Sequence, residues 1–355
     1  MRREELQAAV AVGQVLSDVE VAAEDLAGID LRGAIFENVR FTQSNLRGAL
    51  LKEAIFTECN FDEADLQEAD VRLATMHDCT FAGASLERSL LAGAKFAQCN
   101  LASARLGGTT PTVTIFADCK LDGASFVETF LDRTNIVTST TEGIDLRKAR
   151  LHQTNLLDAD LRKAKLEGAT FYMAVMPKVN LAGCKLAGLD LRRAQLMDAD
   201  LTGCDLSEAQ LMNANFKGAK LANATFAGAR VRQTLFIEAD LQRASFKGAE
   251  LSQSLFSDAK AIGADFSGAA ADMTVWHRTN CLGAKFASAD LTYADFSNAT
   301  ISSADFSGAK LYRTRFHRTK EDGAIFTNRL AALGDDEELA KTEDKLARLA
   351  ERRAR

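Results

Sequence analysis

The stretch CDLSEAQLMNANFKGAKLANATF, residues 204–226, carries a large apolar side chain at every fifth position: Leu206, Leu211, Phe216, Leu221 and Phe226. A small residue stands two places before each of them, at Cys204, Ala209, Ala214, Ala219 and Ala224. The same register runs far in both directions. From Leu26 to Phe326, 55 of its 61 positions are Leu, Phe, Ile, Val, Met or Trp, which chance does not produce. The exceptions are Pro111, Thr141, Ala261, Ala271, Cys281 and Glu321. Of the 23 glycines, 21 lie two residues after a position of this register.

Period five fits neither regular element. In an α-helix five residues turn about 500°, so successive leucines would smear around every face. A plain strand needs period two. The workable unit is small-in, polar-out, large-in, followed by two outside residues that turn a corner. Stacked coils of such units hydrogen-bond to one another and fill their axis with apolar side chains.

The segments AKLEGATF (164–171), ADFSGAKL (304–311) and the opening stretch resemble the pentapeptide-repeat family, whose unit reads A-(D/N)-L-x-x. The resemblance covers about residues 26–326. It implies an all-β fold, a right-handed quadrilateral β-helix with four pentapeptides per 20-residue coil. About 15 coils would make a rod of roughly 70 Å at about 4.8 Å per coil. Residues 1–25 are expected to be an N-terminal capping segment, helical over 3–16. Residues 327–355 are expected to be a C-terminal amphipathic helix or tail, with Leu339, Leu346, Leu349 and Ala350 on one face. Its acids precede its bases, which suits the helix dipole.

Twenty residues per coil explains the cysteines. Cys59, Cys79, Cys99 and Cys119 fall at equal intervals and should form one inward column of small side chains. Cys184 and Cys204 take inward small positions, and Cys281 an inward large one. A linear buried column does not supply tetrahedral metal ligands. Seven cysteines without a secretory signal also favour reduced thiols and a cytoplasmic location. Trp276 is oversized for its position, and its neighbours Ala261, Ala271 and Cys281 are undersized, as a packed interior requires. The stretches 107–114 and 137–145 break the pattern. The Phe36, Phe56, Phe96 and Phe116 column continues across the first, which favours a bulge without inserted residues. Across the second, uninterrupted counting returns Phe216, Phe236 and Phe256 to that column, whereas a five-residue insertion would bring Cys184 and Cys204 into the earlier cysteine column; no insertion is the favoured reading.

No chemistry converges. His77, His152, His277 and His317 each follow a large inward residue and should point outward, too far apart to share a metal. No phosphate-binding loop, dinucleotide fingerprint or nucleophile elbow is present. No apolar run approaches membrane-spanning length. The expectation is a non-enzyme without cofactor or metal, whose surface carries the function.

Three surface features stand out. Outward positions just before the large residue carry Ile35, Ile55, Ile115, Val175, Leu235, Leu255 and Val275, a candidate protein-interaction face; Leu50, Leu90 and Phe130 do the same one side over. A candidate acidic face holds Glu58, Asp78, Asp118, Asp158, Asp198, Glu238 and Asp258. An opposite column holds Arg32, Lys52, Arg72, Arg192 and Arg232. The best-known activity of the resembled family is mimicry of duplex DNA by an acidic rod that occupies gyrase. Residues 26–326 hold 34 Lys+Arg against 36 Asp+Glu, too balanced for a dense negative field. The expected role is a non-catalytic protein-interaction scaffold. A gyrase-binding DNA mimic and an accessory or effector of a bacterial secretion system are the alternatives. The expected partner is a protein, gyrase among the candidates; direct nucleic-acid binding is disfavoured, and a homodimer could form through the C-terminal helix or the apolar face.

Overall fold

A computed structural model describes residues 1–354, with side chains placed through Leu346. Leu349 and Ala350 of the expected amphipathic face lie outside the described side chains. The chain divides into two compact units, Met1–Asp200 and Leu201–Arg355.

The first unit opens with helix α1, Arg3–Ala11, with Glu4 and Glu5 in its first turn. There the Arg2 backbone N–H donates to Glu5 Oε2 at 2.9 Å, and the acids suit the positive end of the helix dipole. Leu6 is fully buried, and Arg3 Nη1 donates to the Ala27 carbonyl at 2.9 Å, which ties α1 to the first coils. Seven short strands follow, one per coil: β1 (Leu16–Ser17), β2 (Ile35–Glu37), β3 (Ile55–Thr57), β4 (Thr75–His77), β5 (Lys95–Ala97), β6 (Ile115–Ala117) and β7 (Asn135–Val137). They pair in parallel in the order β1 to β7, with Leu16 opposite Phe36, Phe36 opposite Phe56 and Phe96 opposite Phe116. Coil stacking therefore begins at Leu16, ten residues before the expected boundary at 26. The 20-residue register also holds at both irregular stretches. Lys95 pairs with Ile115 across the first, and Ser125 bridges Asp145 and Asn135 bridges Asn155 across the second, so no pentapeptide is inserted.

The other three faces close by turns. Ala34 N–H donates to the Leu31 carbonyl at 3.2 Å, and Gly33 between them has φ +65°. That left-handed position recurs at residue numbers ending in 3 or 8, which is why nearly all glycines fall there. On the strand face of the early coils the inward carbonyl makes no such turn bond among the described residues. Instead the Cys59 Sγ lies 3.6 Å from the Phe36 carbonyl oxygen and 3.3 Å from that of Thr57. Cys79, Cys99 and Cys119 repeat this geometry. Further along, Ala159 takes the equivalent place and its N–H closes the turn onto Leu156.

In the second unit two aromatic columns fill the axis. Phe216, Phe236, Phe256, Trp276, Phe296 and Phe316 stack in one; Phe226, Phe246, Phe266, Phe286, Phe306 and Phe326 stack in the other. Members of the two columns meet edge to face, as their quadrupoles favour. Trp276 is fully buried, 4.0 Å from Phe256, and donates its indole N–H to Thr274 Oγ1 at 2.8 Å. Ala261, Ala271 and Cys281 are fully buried beside it, which supplies the compensation expected from sequence. Strands β8 (Asp305–Phe306) and β9 (Ile325–Phe326) pair in parallel, and helix α2, Glu337–Ala354, closes the chain. Leu346 on α2 is 62% exposed.

Candidate functional site

The interior offers little to react with. All seven cysteines are buried and free. Burial raises the Cys184 and Cys281 thiols above their ordinary range, which keeps them unreactive. No group of three or more potential metal ligands gathers among the described residues. A surface cavity of about 510 Å³ lies beside α1, lined by Gln7, Val10, Asp30, Arg32, Lys52 and Glu53, but its charged groups are paired with one another.

The histidines require a correction. His77 is exposed and His152 and His277 half-exposed, but His317 is fully buried. Asp336, just before α2, and the first half of α2 itself cover it: Asp336 N–H donates to His317 Nδ1 at 3.0 Å, and Nε2 faces Glu343 Oε2 at 3.3 Å. Arg318 fastens the same segment, donating to Asp344 Oδ1 at 2.6 Å and to the Ala340 carbonyl at 3.1 Å. The pentapeptide register places His317 outward; the tail then folds over it.

The basic column is largely neutralised by its own repeat. Asp30, Asp70 and Asp190 each accept both the guanidinium and the backbone N–H of the arginine two residues on, at Arg32, Arg72 and Arg192. Asp145–Arg147 and Asp160–Arg162 repeat the motif on other faces. The short spacing D-x-R is visible in the sequence, but its meaning appears only once both residues flank an inward side chain. All five aspartate pKa values are lowered: the arginine hydrogen bond is the largest influence at Asp30, Asp70, Asp145 and Asp160, while at Asp190 burial is the largest single influence and opposes the shift, and the bonds to Arg192 together outweigh it. A self-paired column leaves few free cations to follow a phosphate backbone.

Every member of the acidic column is exposed. Glu58, Asp78, Asp118, Asp158 and Asp198 of the first unit form no ion pair among the described residues. In the second unit, Asp258 is held by Arg278 at 2.6 Å, and Glu238 lies 3.5 Å from Lys217. Every member has φ between +52° and +61°, so the column occupies the left-handed turn position. Aspartate tolerates that conformation better than most residues, and part of the acidic bias is a backbone preference.

The apolar column points outward in both units. Ile35 and Ile55 are 36% and 42% exposed, while Ile115 and Val175 are half-buried. In the second unit Leu235, Leu255 and Val275 are half-buried, with Leu235 bridged to Leu255 and Leu255 to Val275 in adjacent coils, and Ile237 beside them. Thus each unit has its own short ridge.

A pentapeptide repeat region profile matches residues 29–106, and a pentapeptide repeats (8 copies) profile matches 144–181, 178–211, 209–234, 234–269 and 279–318. No curated protein matches the chain. Among solved structures, HetL is a pentapeptide repeat protein involved in heterocyst differentiation regulation from the cyanobacterium Nostoc sp. strain PCC 7120. It is 25% identical over 74% of this chain and 96% of its own, with a TM-score of 0.23. QnrB1, a plasmid-mediated fluoroquinolone resistance protein, is 21% identical over 59% and 94%, with a TM-score of 0.34. A pentapeptide repeat protein of the Arabidopsis thaliana thylakoid lumen is 30% identical over 36% and 70%, with a TM-score of 0.14.

Proposed function

This chain belongs to the pentapeptide-repeat family, and from that premise we propose that it acts as a non-catalytic scaffold that binds a partner protein through an outward apolar ridge. The observation that carries the reading is the stack of Leu235, Leu255 and Val275 in successive coils, where the repeat ordinarily places Asp, Asn, Ser, Thr or Lys. Covering such side chains gains roughly 25 cal/mol per Å². Three of them supply a few kcal/mol of gross burial, enough for modest association after ordering costs. No described helix is long and apolar enough to cross a membrane.

The double variant Leu235→Lys/Leu255→Lys should keep the fold, because these side chains stand outside the packed axis, and should lose the association. Sedimentation equilibrium and capture of the native partner by wild type and variant measure it. Unchanged mass together with unchanged capture would reduce the ridge to strand propensity.

A second reading, a DNA mimic acting on gyrase, draws support from the five unpaired acids of the first unit. Its weakness is the near-balanced charge of the repeat region. We expect no inhibition of gyrase supercoiling at micromolar protein; clear inhibition that disappears in Asp118→Lys/Asp158→Lys/Asp198→Lys would reverse this ranking.

A further inference from the structure

A different face of the first unit departs most from the repeat. It is centred on the inward residues Val71, Leu91, Pro111 and Leu131. From Leu106 to Ala117 the chain has no charged residue, although 26% of the whole chain is charged. Around this gap Leu73, Leu90 and Val113 are 54%, 49% and 48% exposed, and Phe130 is half-buried. Gly93 makes room for Leu73: a Cβ there would come within 2.7 Å of Leu73 Cδ2. The result is an apolar strip along the coil axis, spanning three coil steps or roughly 14 Å.

Two features of the strip run against stability. Pro111 has no N–H to donate to the coil beside it, and the ladder gives way locally to short turns. Thr112 N–H donates to the Thr110 carbonyl at 2.8 Å, and Asp132 N–H to that of Phe130 at 3.1 Å. Val113 has φ +57°, a costly conformation for a β-branched residue where glycine or asparagine would be relaxed. Folding alone would favour a polar residue there.

The strip is electrically lopsided. Toward lower numbers, Asp30–Arg32, Lys52–Glu53 and Asp70–Arg72 are each paired. Toward higher numbers four arginines, Arg133, Arg150, Arg192 and Arg193, face only two aspartates, Asp132 and Asp190. The Arg150 guanidinium lies over Phe130, 4.6 Å from the ring centroid, and makes no ion pair among the described residues. His152, bonded to Asp132 at 2.7 Å, stacks on Tyr172 beside it.

We propose that this strip is the docking surface for an amphipathic helix of a partner protein, its apolar stripe against Leu73, Leu90, Val113 and Phe130 and its acidic terminal turn against the arginine end. A helix fits because its pitch of about 5.4 Å nearly matches the coil spacing of about 4.8 Å, so residues at i, i+3, i+4 and i+7 meet successive coils. The excess of positive charge selects which end of the helix carries acids. The inference rests on the scaffold reading but uses a separate surface.

The test is selection of displayed 16-residue helical peptides on the full chain, followed by fluorescence anisotropy with two synthetic probes. Both probes carry Leu at i, i+3, i+4 and i+7; one ends in three Glu and the other in three Lys. The selection should enrich apolar stripes with an acidic terminal turn, and the Glu probe should bind about tenfold more tightly than the Lys probe. Leu90→Lys and Val113→Asn should each weaken it about tenfold, and Arg133→Glu/Arg150→Glu should erase the preference. Val113→Asn should at the same time raise the urea midpoint, since it relieves the backbone, so lost binding cannot be lost folding. Leu235→Lys/Leu255→Lys should leave probe binding intact, which separates this inference from failure of the ridge. Absence of enrichment, equal binding of the two probes, or binding untouched by Leu90→Lys and Val113→Asn would overturn it. So would self-association abolished by Val113→Asn, which would make the occupant a second copy, or preferential binding of a single-stranded oligonucleotide.

Discussion

Phe266→Ala in the second unit is the sharpest test of the axial packing. Its ring is fully buried, stacked 4.9 Å from Phe246 and 5.0 Å from Phe286, and edge to face with Phe256 at 5.8 Å and Trp276 at 4.9 Å. Removing a buried phenylalanine costs about 3–5 kcal/mol through lost transfer energy and the cavity left behind. Here the cavity cannot close. The backbone is clamped on both sides, by Phe266 N–H to the Lys285 carbonyl at 2.7 Å and Asp265 N–H to the Ala244 carbonyl at 2.9 Å. The flanking inward residues Ala261 and Ala271 are already small and have no bulk to move in. The expected loss is therefore about 5 kcal/mol, the upper end of that range. Urea unfolding of wild type, Phe266→Ala and the outward control Lys260→Ala measures it, the control changing stability by no more than about 0.5 kcal/mol. A loss below about 2 kcal/mol for Phe266→Ala at unchanged m-value would refute the claim of a rigid, close-packed axis.

Cys99→Ala should cost only about 1 kcal/mol, because one small side chain replaces another in the column, and the folded protein should bind no stoichiometric zinc and label slowly at all four column thiols. Asp145 is nearly buried, and its hydrogen bond to Arg147 holds its carboxyl below the ordinary carboxylate range. Its stabilisation is complete above the unfolded value of about 3.9 and is lost as pH falls through the lower folded value. Asp145→Asn should therefore cost about 1–2 kcal/mol at pH 7 and flatten the decline in urea midpoint below about pH 4; an unchanged acid limb would show the pair to be neutral.

The inward half of this protein was legible in the sequence. A cross-section of fixed size accepts one large and one small side chain per pentapeptide, so the order of large and small residues marks the inward positions; with the 20-residue coil that the family resemblance implies, it places all seven cysteines inside, where they are buried. The compensation around Trp276 follows from the same limit on volume. The outward half was not legible, because an exposed position accepts almost any side chain and its neighbours come from other coils. His317 holds the same register as the exposed His77, yet it is fully buried, because the tail from Asp335 to Asp344 folds across it. Arg32, Arg72 and Arg192 read as a basic column until Asp30, Asp70 and Asp190 are found folded onto them. The register places Val113 at an outward turn position, and the structure shows what the sequence does not, that an apolar side chain there stays 48% exposed on a left-handed backbone. Sequence alone determined what the axis must contain, since space there is fixed by the coil itself. Tertiary structure decided which outward groups remain free to meet a partner, since that depends on what each coil's neighbours and the chain ends leave uncovered.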